Sequence, residues 1–104
     1  MSDLKIGELY LVKEFFWFLY PTKELAAGST ATTRWARVKA GAQFNAKWLS
    51  ERFNCNVALV EENNYVVLLE VKNERLYKLL DSNGNVGWIR CTDFSKYFEL
   101  VKAK

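Results

Sequence analysis

The chain contains no histidine. That removes the side chain that titrates nearest neutral pH and the commonest general base. It also removes Ser–His and Cys–His nucleophile pairs. Ser2, Ser29, Ser50, Ser82, Ser95, Cys55 and Cys91 therefore lack that activating partner, and no serine lies in a Gly-x-Ser-x-Gly setting. Only five glycines are present, and they form neither a phosphate-cradling loop nor a dinucleotide fingerprint. The two cysteines match no metal spacing, and a structural zinc site takes about four ligands. They are expected as two buried thiols. No apolar run exceeds the six residues Phe15–Tyr20, whereas a membrane-crossing helix needs roughly 20. The first seven residues lack a basic stretch leading into an apolar core. The expectation is a soluble, cytoplasmic, non-catalytic protein with no cofactor, no metal and no membrane partner.

What is present is material for a core. Half of the 104 residues are hydrophobic and 15% are aromatic, which is the opposite of a disordered composition. That length suits one domain with one core. The net charge is +3, and its placement matters more than its size. Residues 34–56 carry Arg34, Arg37, Lys39, Lys47 and Arg52 against the single acid Glu51.

The pattern along the chain is mainly that of strands. Glu8–Val12 reads as a short strand. Phe15–Tyr20 is dense in aromatics, which favours a strand, and Pro21 ends it. Residues 22–33 are small and polar and read as a flexible loop. Arg34–Lys39 alternates like a half-buried strand, broken by Gly41. Asn45 caps a predicted helix running to Phe53, with Leu49 and Phe53 on one face and Trp48 and Arg52 also four apart. Strands are then predicted at Val57–Glu61, Tyr65–Val71, Arg75–Leu80 and Val86–Arg90. Polar turns at Glu62–Asn64, Lys72–Glu74 and Asp81–Asn85 separate them. One helical turn follows over Thr92–Tyr97, then a closing strand over Phe98–Lys102. Short strands at regular spacing argue for a small barrel or sandwich.

Tyr65–Val101 resembles the C-terminal half of an SH3-like barrel. The resemblance rests on a long hairpin, a polar turn, Gly87-Trp88-Ile89, one helical turn and the closing strand Phe98-Glu99-Leu100-Val101. It implies a mainly β, SH3-like barrel over residues 1–104, with a loop and a short helix inserted at 22–56. In SH3 domains that bind proline-rich peptides, a proline follows the Gly-aromatic-Ile and a tyrosine comes soon after. Arg90 and Asp93 stand at those positions here, so no proline-motif groove is implied.

Two surfaces are candidates for function. In the first, Phe16, Trp17, Phe18, Tyr20 and Trp88 contact another protein or complex, since aromatics are enriched at interface hot spots. The competing reading packs one face of Phe15–Tyr20 inside the barrel and the other beneath the 34–56 helix. In the second, Arg34, Trp35, Arg37, Lys39, Lys47, Trp48 and Arg52 bind single-stranded nucleic acid, with bases stacking on aromatics and phosphates meeting cations. The competing reading there is a solvated basic face. The primary expectation is a protein-interaction module, an adaptor or small complex subunit, and nucleic-acid binding is the alternative.

Overall fold

Polar turns fold residues 57–101 back on themselves. Asn63, Asn73 and Glu74 take positive φ angles of 70°, 54° and 57°, and Gly84 takes 85°. Asparagine and glycine enter that left-handed region at least cost. At the last of these turns, Asp81 accepts bonds from Asn83 N (2.9 Å), Asn85 N (2.8 Å) and Asn85 Nδ2 (3.0 Å). Both carboxylate oxygens thus serve the turn, which is how a buried carboxylate is satisfied. The strands joined by these turns are β4 (Tyr65–Lys72), β5 (Leu76–Asp81) and β6 (Val86–Arg90) in a computed structural model that describes residues 4–28 and 39–101.

The remaining elements are β1 (Leu9–Val12), β2 (Trp17–Leu19), α1 (Lys23–Gly28), α2 (Lys39–Arg52), β3 (Ala58–Val60), the helical turn α3 (Phe94–Tyr97) and β7 (Phe98–Leu100). Five strands form one antiparallel sheet in the order β6-β5-β4-β1-β7. β2 and β3 form a separate two-stranded antiparallel sheet, although α1 and α2 lie between them in the chain. A single bridge between Tyr20 and Trp88 joins that small sheet to β6. Among the described residues no ladder joins β3 to β7, so the sheet curls without closing. The mainly β expectation is met at that level.

Strand alternation sorts the side chains. Tyr10, Val12, Leu19, Val66, Leu68, Tyr77, Leu79, Ile89, Phe94 and Phe98 all fall in one buried cluster inside the curl. Rings dominate it: Phe94 stacks on Phe98 at 4.3 Å and on Tyr77 at 4.5 Å. A second cluster lies on the other side of β5 and β6, where Leu76 and Trp88 meet Tyr20, Ala26 and Val57.

Two expectations for the middle of the chain are corrected. The stretch read as a loop holds a helix over Lys23–Gly28, where Thr22 Oγ1 accepts from Leu25 N at 3.2 Å. The run Leu25-Ala26-Ala27 favours helix, and Ala26 is buried against Trp88 and its neighbours. α2 starts at Lys39, well before Asn45, and passes through Gly41. A helical glycine costs only about 1 kcal/mol, and Ala40, Ala42 and Ala46 supply strong helix formers around it. The strand expected over Arg34–Lys39 falls outside the described residues except for Lys39, which opens the helix.

Both cysteines are free thiols; Cys91 is buried, while Cys55 is only partly so. Burial pushes the Cys91 thiol up to about 11 from its ordinary 9.0; a backbone hydrogen bond at Asp93 works against this and the Asp93 charge works with it. Tyr77 is raised too, again chiefly by burial. The unfolded chain releases the thiol proton near 9.0, so the neutral thiol's stabilisation is complete below that pH. It is lost as pH rises from there to about 11. A thiol reagent at neutral pH should modify Cys55 readily and Cys91 only on unfolding. Thermal melts should fall between pH 9.0 and about 11, and Cys91→Ala should flatten that fall. Equal labelling of both thiols in the native protein would contradict this.

Candidate interaction surfaces

The aromatic block Phe15–Tyr20 alternates between two packed layers. Trp17 and Leu19 point into the main core, where Trp17 lies 5.1 Å from the Phe98 ring. Its indole Nε1 donates to Glu14 O at 2.9 Å. Phe16 and Leu59 meet Ala42 of α2. Phe18 and Tyr20 meet Leu25, Ala26, Leu49 and Trp88. Phe15 takes a φ of 68° and rests 5.3 Å from the Tyr97 ring.

The structure therefore places Phe16 at 9%, Tyr20 at 6% and Trp88 at 8% exposure, with Trp17 and Phe18 half-buried. Lys78 lies over the Trp88 ring at 5.8 Å. The block is layered between the main core and the helices, and most of its area is packed within the chain.

Of the basic and aromatic set, Arg34, Trp35 and Arg37 lie outside the described residues. Lys39, Lys47, Trp48 and Arg52 are brought together along α2, and all four are exposed. Lys39 Nζ pairs with Glu61 Oε1 at 3.3 Å. The Arg52 guanidinium sits 5.5 Å from the Trp48 ring and 5.9 Å from that of Phe53.

α2 is built inside out. Its buried residues are Ala42 and Ala46, and Leu49 is half-buried. Its largest apolar side chains face water, with Phe44 70% and Trp48 47% exposed. Residues four apart share a helix face, so Ala40, Phe44 and Trp48 form one stripe. Lys47 and Glu51 lie beside it and are exposed too. An ordinary surface helix turns its large apolar residues to the core.

A second apolar surface lies on the sheet. Register pairs Leu9 with Val67, Val67 with Leu80, and Leu80 with Val86. This row crosses four strands, a span of about 14 Å at about 4.8 Å per strand. Leu11 and Tyr65 form the adjacent pair. Leu9, Tyr65 and Val86 are exposed, and Leu11, Val67 and Leu80 are half-buried. The Leu76–Trp88 cluster covers the neighbouring part of this face and leaves the row open.

Sequence reasoning singled out neither Phe44 as a lead residue nor this row. The signal for the row was Tyr65–Leu69, an apolar run on both strand faces. Among the described residues there is no group of acids and cysteines able to hold a metal, and no helix is long and apolar enough to cross a membrane. No protein-family model, curated protein or solved structure matches the chain.

Proposed function

We propose that this chain is an SH3-like, non-catalytic protein-interaction module or a small subunit of a larger complex. One observation carries the interaction reading. The seven large hydrophobics exposed among the described residues are Ile6, Leu9, Phe44, Trp48, Phe53, Tyr65 and Val86. They gather at two places: α2 with its exit, and the open sheet row with the turn that leads into β1. Scattered exposed apolar residues are ordinary, whereas contiguous patches mark contact sites. The SH3-like part is supported by the long hairpin, the polar turn, Gly87-Trp88-Ile89 in β6, one helical turn and a closing strand beside β1.

A second reading uses α2 alone. Exposed Lys47 and Arg52 interleave with Phe44 and Trp48, the mixture that suits single-stranded nucleic acid. Glu51 on the same face and the pairing of Lys39 with Glu61 weigh against it.

One experiment separates the readings. The wild type, a Phe44→Ser/Trp48→Ser variant and a Leu9→Ser/Val86→Ser variant are immobilised and exposed to native lysate with and without nuclease. A protein retained after nuclease and lost with one variant is the result expected. Retention that vanishes with nuclease, and weakens steeply with salt, would transfer the function to nucleic acid. Identical capture by all three baits would refute both surfaces.

A further inference from the structure

The outer face of α2 carries both signs of charge, and their arrangement selects an occupant. Lys47 and Glu51 stand four apart on the exposed face. They form no ion pair with each other or with another described residue. Lysine placed N-terminal to the acid is the weaker orientation for a pair within one helix. A polyanion would meet Glu51 beside the stripe and be repelled there. A reversed copy of the same helix meets its complement.

We propose that α2 is the contact through which two copies of this chain associate, with the helices antiparallel and a two-fold axis beside Trp48. The proposal rests on the interaction reading above and names the partner of one of its two surfaces. A two-fold contact puts the same patch on both copies. With the axis beside Trp48, the Trp48 side chains of the two copies meet at the centre. Phe44 and Arg52 lie four residues to either side, so each Phe44 ring faces Arg52 of the second copy, a cation–π arrangement. Lys47 and Glu51 straddle a point one residue from the same axis, so each lysine meets the other copy's glutamate. Trp and Arg at the centre of the contact are the residue types that dominate interface energetics.

The size of the face sets the strength. A helix of 14 residues is about 21 Å long. One such helix pair covers less than the roughly 800 Å² per partner of a stable interface. The association is accordingly weak and concentration-dependent.

Sedimentation equilibrium from the low micromolar to the near-millimolar range tests this on the whole chain. The expected result is a reversible monomer–dimer equilibrium. Trp48→Ala should weaken it about a hundredfold, in line with a central hot spot. Lys47→Glu and Glu51→Lys should each weaken it about tenfold, because each reversal puts like charges together twice per dimer. The double reversal should restore wild-type association, an outcome that non-specific aromatic stickiness would not give. Val86→Ser, on the sheet, should leave association unchanged. All these positions are exposed, and a far-ultraviolet spectrum and melt confirm folding of each variant. A wild type that stays monomeric throughout overturns the proposal, as does a double reversal that fails to restore association. If partner capture from lysate still depends on Phe44 and Trp48 in that case, the interaction reading survives and only the occupant is wrong.

Discussion

Gly87→Ala is expected to destabilise the fold by about 3 kcal/mol or more, from overpacking and two lost backbone bonds. A Cβ on Gly87 would stand 2.6 Å from Tyr20 O, 2.8 Å from Leu19 Cγ and 3.2 Å from Leu19 C. Two of those atoms are backbone, so no side-chain rotation relieves the clash. The same carbonyl accepts from Trp88 N at 2.6 Å, and Tyr20 N donates to Trp88 O at 2.9 Å. That pair of bonds is the seam between the β2–β3 pair and the five-stranded sheet. The melting temperature should fall by roughly 12 °C or more. The Trp88 fluorescence environment should change with it. A variant within about 1 kcal/mol of wild type would mean that the seam is open in solution.

Phe98→Ala is the second large effect, about 3–5 kcal/mol by cavity formation. Phe98 is among the largest fully buried side chains. It stacks on Phe94 and touches Trp17. Its backbone pairs with Val12, so collapse of the core around the hole pulls on β1 as well. Domains of this size have about 5–15 kcal/mol in total. With the slope unchanged, the urea midpoint should therefore fall by about a fifth at the least, and by half or more if the total is below about 6 kcal/mol. A loss under about 1 kcal/mol would contradict the packing described.

The two halves of the chain were not equally legible. Residues 57–101 were readable because each strand is bounded by its own turn chemistry: Asn63, Asn73 and Gly84 mark reversals that nothing distant needs to enforce. β5 alternates cleanly, with Leu76, Lys78 and Leu80 on one face and Tyr77 and Leu79 on the other, and the structure keeps those faces apart. α2 lies where the pattern predicts a helix but begins at Lys39, well before Asn45. In isolation Gly41 looks like a breaker and Asn45 like the first cap, whereas burial of Ala42 against Phe16 and Leu59 extends the helix back to Lys39 at long range. The aromatic block was ambiguous for a similar reason. Whether Phe16 and Phe18 are covered depends on where α1 and α2 land, and no local pattern encodes that. The open sheet row was hidden because Tyr65 to Leu69 are apolar on both strand faces, so alternation does not separate the outward Tyr65 and Val67 from the buried Val66 and Leu68.

The position of β1 governs the order in which the chain can organise itself. Its neighbours are β4 and β7, and β7 is the last strand among the described residues. Leu11 pairs with Glu99, nearly the full length of the chain away. Contacts between such remote positions slow folding, because the intervening loop must close before they form. The β4–β5–β6 meander, with its short turns, needs no such wait. During synthesis the first strand therefore leaves the ribosome long before its second neighbour exists, and the sheet gains that edge only once the final strand emerges. A released chain truncated before Phe98 would hold the meander with β1 paired on one side only, its apolar inner face in reach of chaperones.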